Sequence, residues 1–251
     1  MFKSAGIIVN ADKDPSYKYA CEVKAFLRER EIEVPNNVDT ADFLIVLGGD
    51  GTMLRAAQKA AKLDTPMIGI NLGTLGFLTD VEKEHGLTAI DKVLDGEYSA
   101  EKRMMLTAEF GSRICSALNE FYVGGNGKLR TFSVYVNDEH IDDIRADGIL
   151  VATPTGSTAL NLSAGGPILI PGGQMMVLTP VCPHSLSARP LVLDAADIVT
   201  IKVLAAVHIV VDGEILGRLN EVKIQRADFF ATILKTESVN FYDILRKKKI
   251  L

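Results

Sequence analysis

The feature that most constrains this chain is the run Leu44-Ile45-Val46-Leu47-Gly48-Gly49-Asp50-Gly51-Thr52-Met53-Leu54. Its uncharged apolar half reads as a strand buried on both faces, the kind found in parallel sheets. A glycine turn follows, then a helix from about Thr52 to Lys62, rich in Ala, Arg, Gln and Lys. Strand, turn and helix in that order call for a mostly parallel sheet covered by helices. Glycine lets the backbone take φ > 0 and come close to a ligand. The start of the helix offers free N–H groups and a positive dipole end to a phosphate. Asp50 falls at the carboxyl end of the strand, where open α/β sheets bind ligands. An acid there suits a general base, a metal ligand, or simply a helix cap in a tight turn. The run is neither a Walker A loop nor GxGxxG, so neither of those mechanisms applies.

The flanking segments continue the alternation. Ala5–Val9 reads as another buried strand, and Asp14 as the cap of a helix with Pro15 at its first position. Tyr19, Val23, Phe26 and Leu27 form one apolar helical stripe. Met67–Ile70 is a third strand, and Leu87, Ile90 and Leu94 mark a helix closed by Gly96. The third strand also ends in a glycine turn, Gly69-Ile70-Asn71-Leu72-Gly73-Thr74-Leu75-Gly76-Phe77-Leu78. Alone it reads as a structural loop; two such turns on one sheet edge suggest a nucleotide cleft.

Near residue 97 the period changes. Strand-like runs now succeed one another: Ile114–Val123, Phe132–Val136, Ile149–Ala152, Ile168–Ile170, Met175–Leu178, Ile198–Val203, Val207–Val211, Val222–Ile224 and Phe230–Leu234. Asp212-Gly213 predicts a type I′ hairpin turn. Helical spacing returns only in Phe241, Ile244 and Leu245. A lone helix over Phe241–Leu251 is too short to stand without a packing partner, so it is expected to return to the first domain. The expected fold is α/β plus mainly β. A Rossmann-like parallel α/β nucleotide-binding domain takes residues 1–95 and 237–251. A β-sandwich-like domain takes residues 96–236.

The balance of 27 Lys and Arg against 32 Asp and Glu gives a net charge of −5, which argues against a dedicated nucleic-acid binder. Cys21, Cys115 and Cys182 are odd in number and show no zinc spacing, so reduced thiols and a cytoplasmic setting are expected. The opening apolar run is too short for a signal peptide, and no stretch reaches the roughly 18–20 apolar residues of a membrane span. His85, His140, His184 and His208 are scattered without ligand spacing. Lys247-Lys248-Lys249 is read as solvated charge complementing a helix dipole.

A third glycine-bearing segment runs from Asp147-Gly148 to Gly165-Gly166-Pro167 and carries Thr153, Thr155, Ser157, Thr158 and Ser163. Its small hydroxyls suit polar readout of a base or sugar, or a plain Ser/Gly-rich turn. Asn119-Glu120 is only a dipeptide and has no meaning by itself.

Together these segments resemble one family, the NAD kinases, which transfer a phosphoryl group from an ATP-type donor to NAD and make NADP. The resemblance runs from about Phe43 to Asp194. It is carried by Gly48-Gly49-Asp50-Gly51-Thr52, Leu75-Gly76-Phe77, Asn119-Glu120, Asp147-Gly148, Thr153-Pro154-Thr155-Gly156-Ser157-Thr158-Ala159 and Ser187-Ala188-Arg189-Pro190. Lipid kinases of the diacylglycerol type and phosphofructokinases carry turns related to the first motif. The Thr-Pro-Thr-Gly-Ser-Thr-Ala run following Asn-Glu is the specific signal.

The resemblance implies roles. Asp50 would be the general base facing the 2′-hydroxyl of the adenosine ribose, with Gly51 beside it. Phe77 would line the adenine subsite, Asn119 would bond the adenine and Glu120 its ribose. Asp147 would hold the nicotinamide end. Thr155, Thr158, Ala159 and Ser163 would line the cleft between. Arg55, Arg130 and Arg145 have the charge for pyrophosphate or donor phosphates. Leu160 stands where the family usually has Tyr, which removes an aromatic wall and a phenol donor from the binding site. The resemblance further implies ATP or polyphosphate as donor, a divalent ion such as Mg²⁺ carried without a protein cage, and a homodimer or homotetramer. It places the site in the cleft between domains near a subunit interface. A catalytically silent NAD(H)-binding sensor and a lipid kinase are the alternatives. The first leaves Asp50 without a purpose, and the second lacks an amphipathic basic helix.

Overall fold

The computed structural model describes residues 2–74, 76–110, 113–125, 127–236 and 240–250, with only the backbone of residue 113. Leu75 of the second glycine turn, and residues 237–239 and 251 of the terminal segment, lie outside the described residues. The chain divides into two compact units, Met1–Lys102 with Phe230–Leu251, and Arg103–Phe229.

The first unit opens with β1 (Ala5–Val9), α1 (Lys18–Glu29), β2 (Phe43–Gly48), α2 (Asp50–Ala60), β3 (Met67–Asn71), β4 (Val81–Glu82) and α3 (Gly86–Leu94). Then follow β5 (Ser99–Phe110), β6 (Arg113–Ala117), β7 (Glu120–Gly124), β8 (Arg130–Val136), β9 (Glu139–Ala146) and β10 (Gly148–Ala152). The short helix α4 (Leu160–Ser163), β11 (Met175–Val181), β12 (Leu191–Asp194), β13 (Val199–Val211), β14 (Glu214–Lys235) and α5 (Phe241–Lys247) complete the chain.

In the first unit β1, β2, β3 and β4 pair in parallel, and the end of β14 joins β3 in parallel at Ile233 and Met67. Every residue of β2 and β3 is buried, as expected of strands covered on both faces. The stripe Tyr19, Val23 and Leu27 of α1 packs with Phe43, Ile45 and Ile90 in this unit's core. α3 ends in a Schellman motif: Gly96 at φ 82° donates to the carbonyl of Val93 and Glu97 to that of Lys92. As expected from its spacing, α5 belongs to this unit, with Ile244 and Leu245 buried and the Phe241 ring 6.1 Å from that of Phe77.

The second unit is antiparallel. Its strands β7, β10, β11 and β12 pair in series. β13 serves two neighbours, giving Val199–Val203 to β8 and His208–Val211 to β7. Its pairing with β14 is interrupted between Lys202 and Val207, which lets one strand change partner. Phe121, Phe132, Ile149, Ile201 and Ile209 fill a common core. Asp212 and Gly213, at φ 47° and 87°, form the two-residue turn between β13 and β14, the I′ geometry the dipeptide predicts.

Several local expectations are corrected. Pro15 lies outside α1, which starts at Lys18; Asp14 caps it from a distance, accepting the N–H groups of Tyr19 and Ala20 at 3.3 and 3.0 Å. α2 starts at Asp50 rather than Thr52, because Gly49 takes the extended N-cap conformation. The strand expected over 114–123 is two strands. The Asp212 carboxylate takes the N–H groups of Leu118, Asn119 and Glu120 at 2.8, 2.8 and 3.1 Å, which interrupts the ladder. Ile168–Ile170 is not a strand: the N–H and C=O of Leu169 both bond the Ser157 hydroxyl, at 2.9 and 3.3 Å.

Candidate active site

The first glycine turn is shaped by its own helix and by the second turn. A Cβ at Gly48 would strike the Thr52 side chain, so only glycine lets β2 turn this sharply into α2. Gly49 accepts the N–H groups of Thr52 and Met53 at 2.9 and 3.1 Å. Gly48 accepts the N–H of Leu72 at 2.9 Å, tying the turn to the end of β3. Asp50 then enters the first turn of α2 half-buried, with its carboxylate aimed away from its own helix.

That carboxylate organises the second turn. Its Oδ2 accepts the N–H of Phe77 at 2.8 Å. Its Oδ1 accepts the N–H groups of Leu78 and Thr79 at 3.0 and 3.2 Å and the Thr79 hydroxyl at 3.2 Å. A Cβ at Gly76 would collide with the same carboxylate, which explains the glycine before Phe77. Buried Asn71 braces the turn from inside, accepting from Gly73 N–H at 2.7 Å and donating to the carbonyls of Thr74 and Thr79 at 2.6 and 3.3 Å. The Phe77 ring is half-buried; besides Phe241 it meets the Lys248 ammonium at 5.1 Å from its centroid. The lysine run is therefore partly engaged. Gly51 is exposed beside Asp50. Arg55, exposed on α2, lines a small hollow with Ile8, Val38, Asp39 and Lys59.

In the second unit the dipeptide Asn119-Glu120 gains its context. The three bonds to Asp212 fix its backbone from one side. From the other side, Thr153 donates its N–H to the Asn119 carbonyl at 2.9 Å and its hydroxyl to the Leu118 carbonyl at 2.6 Å. Gly156 approaches so closely that a Cβ there would enter the Asn119 carbonyl. Glu120 is buried at 6% exposure, and its Oε2 has no hydrogen-bond partner among the described residues. Burial, and next the nearby Asp212 charge, push its carboxyl up to about 8. At neutral pH it is mainly protonated, so it can donate as well as accept.

The hydroxyl-rich segment divides by use. Thr153 and Ser157 are fully buried, and their hydroxyls are taken by internal carbonyls; they shape the loop rather than read a ligand. Buried Asn161 does the same, donating to Ser157 and Pro167 carbonyls at 3.0 Å and accepting from Thr179 at 2.6 Å. Thr155 is buried and accepts from Arg103 Nη1 at 3.4 Å, while Thr158 and Ala159 are half-buried. Leu160 opens α4 at 43% exposure and Ser163 closes it, exposed. Arg130 and Arg145 lie on the paired strands β8 and β9. Arg130 Nε is buried with no acceptor among the described residues, and the Arg145 side chain is exposed. Asp147, just after β9, is half-buried; its carbonyl accepts from Gly125 N–H at 3.2 Å and the Tyr122 hydroxyl at 3.3 Å.

Within the first unit Asp50, Gly51 and Phe77 are thus brought together. Within the second, Asn119, Glu120 and the 153–158 loop are. Two residues escaped sequence reasoning: Asp212, visible only as a turn former, and buried Arg103, whose signal was a cation heading the apolar run Met104-Met105-Leu106.

Two family models match the chain, the ATP-NAD kinase N-terminal domain over residues 35–98 and the ATP-NAD kinase C-terminal domain over 118–231. Curated relatives include an NAD kinase of Thermoanaerobacter sp. (strain X514), 34% identical over 278 residues and 98% of both chains. An NAD kinase of Clostridium perfringens (strain 13 / Type A) is 36% identical over 270 residues, again 98% of both. Among solved structures, an NAD kinase from Archaeoglobus fulgidus in complex with ATP superposes with a TM-score of 0.85 at 27% identity, covering 99% of each chain. Yeast NADH kinase complexed with NADH shares the fold, with a TM-score of 0.87 at 23% identity over 98% of this chain and 86% of that one.

Proposed function

The chain belongs to the NAD kinase family, and from that premise we propose how it works: it transfers a phosphoryl group from ATP to the 2′-hydroxyl of the adenosine ribose of NAD, giving NADP. The observation that carries the mechanism is the unequal loading of the Asp50 carboxylate. Oδ1 holds three donors and Oδ2 one. Each oxygen of an ionised carboxylate has about two acceptor sites, so the singly loaded Oδ2 keeps room for one more donor. Asp50 anchors the second turn chiefly through Oδ1 and takes the 2′-hydroxyl proton at the site left on Oδ2. Phosphoryl transfer through a loose transition state asks mainly for positioning and charge neutralisation, so a weak base suffices.

The remaining roles follow the same logic. Gly51 leaves the loop open beside the acceptor. Phe77 lines the adenine subsite and Asn119 bonds the base. The unpartnered Oε2 of Glu120 supports a bond to a ribose hydroxyl. Asp147 holds the nicotinamide end, and Thr155, Thr158, Ala159, Leu160 and Ser163 line the path between. Arg130, with its unmatched Nε, and Arg145 face phosphate oxygens; Arg55 contributes long-range charge. Residues 1–95 with 237–251 act as the nucleotide domain and 96–236 as the NAD domain.

A hard divalent ion such as Mg²⁺ would, when bound, offset the charge of the donor's polyphosphate. No group of three or more His, Cys, Asp or Glu able to hold an ion occurs among the described residues. The ion would come with the donor's phosphates, and no protein ligand is assigned to it. The exposed Leu204 and Ile215 of β13 and β14 support self-association as a dimer or tetramer. The free thiols of Cys21, Cys115 and Cys182 support the cytoplasm as its setting. No helix among the described residues is long and apolar enough to cross a membrane. Incubation with NAD, Mg²⁺ and either ATP or polyphosphate tests the donor, with NADP expected from ATP. NAD binding with no NADP from either donor would favour the silent sensor instead.

A further inference from the structure

The loop after β1 carries a cation that the family resemblance does not include. Its backbone is fixed: the Asn10 carbonyl accepts the N–H groups of Lys13 and Asp14 at 3.1 and 3.0 Å. The Asn10 amide donates to the Thr52 hydroxyl at 3.3 Å, which ties this loop to the first turn of α2. From that base the Lys13 side chain reaches across both glycine turns. A Cβ built on Gly49 would lie 3.0 Å from Lys13 Nζ, and one built on Gly73 would lie 2.8 Å from it. The ammonium therefore occupies the space that two missing side chains leave, one on each turn. The neighbouring carboxylate, Asp14, is turned away and engaged with the N–H groups of α1. Among the described residues Lys13 forms no ion pair, although its side chain is exposed and free to do so.

An ammonium is a compact charge with three donors. Held over two glycine turns beside a helix start, it faces what a phosphate chain would present there: closely spaced anionic oxygens and no bulk. Resting on the reaction proposed above, we propose that Lys13 binds the polyphosphate chain of the phosphoryl donor and holds its terminal group against the Asp50 turn. It reads phosphate rather than the nucleoside, so ATP and inorganic tripolyphosphate share the contact. The glycines at 49 and 73 then serve to leave room for this cation.

The test is Lys13→Met, which keeps the stem and removes the charge, with Lys13→Arg beside it. With NAD saturating, kcat/KM for ATP should fall about 10- to 100-fold in Lys13→Met, the range of a lost charge-assisted bond. KM for NAD should stay within twofold, and Lys13→Arg should recover part of the loss. Calorimetric titration with tripolyphosphate, without NAD, should show a loss of at least tenfold in affinity for Lys13→Met. This arm decides the role of Lys13 even if the parent made no NADP, a result that would sink the proposed reaction and not this contact. An unchanged melting temperature is expected, since no ion pair is lost. Tripolyphosphate affinity within twofold of the parent would overturn the proposal, as would a loss confined to KM for NAD.

Discussion

The carboxylate of Asp50 accepts the backbone N–H of Phe77 at 2.8 Å, so the acid of one glycine turn sets the backbone of the other. The proposed base and the proposed adenine wall are thereby parts of one structure. Asp50→Asn removes both functions: the amide cannot take the hydroxyl proton, and its NH₂ faces donors instead of accepting them. kcat for NADP formation should fall by about 10²- to 10⁴-fold. Amide exchange at residues 77–79 should quicken as well. A variant within a few-fold of the parent kcat would restrict Asp50 to positioning.

Gly76 and Gly51 should separate cleanly. A Cβ at Gly76 meets the Asp50 carboxylate and lies 2.6 Å from the Thr79 hydroxyl, whereas one at Gly51 meets nothing within 4 Å. Gly76→Ala should cost about 1–3 kcal/mol of stability, the usual range for overpacking. Gly51→Ala, near the start of a helix, should leave stability unchanged or raise it by about 0.5–1 kcal/mol. Urea unfolding of the two variants checks this, and equal midpoints would contradict the packing described.

Glu120 should make stability depend on pH. Its carboxyl is raised from 4.5 to about 8 in the folded chain, by burial first and by Asp212 second. The folded state then binds this proton more tightly than the unfolded state. The contribution is complete below the ordinary value and is lost as pH rises through the window up to about 8. Parent stability should fall from pH 5 to 8 relative to Glu120→Gln, with an upper bound of roughly 5 kcal/mol. Parallel pH profiles for the two proteins would exclude a raised Glu120.

Asp212→Asn tests the support behind that dipeptide. Asparagine tolerates the φ of 47° at this turn, so the substitution isolates the charge and one acceptor oxygen. Three backbone N–H groups depend on the carboxylate, and a loss of about 1–3 kcal/mol is expected. The pH slope assigned to Glu120 should shrink in the same variant.

Leu160→Tyr restores the aromatic that the family resemblance leads one to expect. Leu160 is 43% exposed at the start of α4, so a ring has space. Stacking is worth about 0.5–1.5 kcal/mol, and KM for NAD should change by roughly tenfold or less with kcat little altered. Abolished turnover with intact NAD binding would move Leu160 next to the transferred group.

Much of this was legible in the chain because local chemistry and fold agree. The apolar runs Ala5–Val9, Phe43–Gly48 and Met67–Asn71 are strands for the reason their composition states, although β1, at the end of the strand order, leaves Ile7, Ile8 and Val9 only half-buried where burial on both faces was expected. Gly96 and Asp212-Gly213 close their elements as their residue types demand. Less legible were features set by distant partners. β9 reads as polar because only Ile144 and Ala146 of it are buried, and its pairing with β8 makes it a strand. The break at Leu118–Asn119 depends on a carboxylate more than ninety positions away. The hydroxyls of Thr153 and Ser157 look like ligand groups until their internal acceptors are seen. For the site, residue type and position pointed to Asp50, while Asn119 and Glu120 came only with the family resemblance. That Asp50 bonds the second turn, and that Asp212 and Arg103 support the other residues, are tertiary facts without a local signature.

Transfer of label from [γ-³²P]ATP to NAD in a single turnover, with the position of the new phosphate determined, tests the proposed reaction most directly. Label on the 2′-oxygen of the adenosine ribose, one per ATP consumed and lost in Asp50→Asn, is the expected result. Label appearing only as inorganic phosphate, or on NAD at any other oxygen, would contradict it.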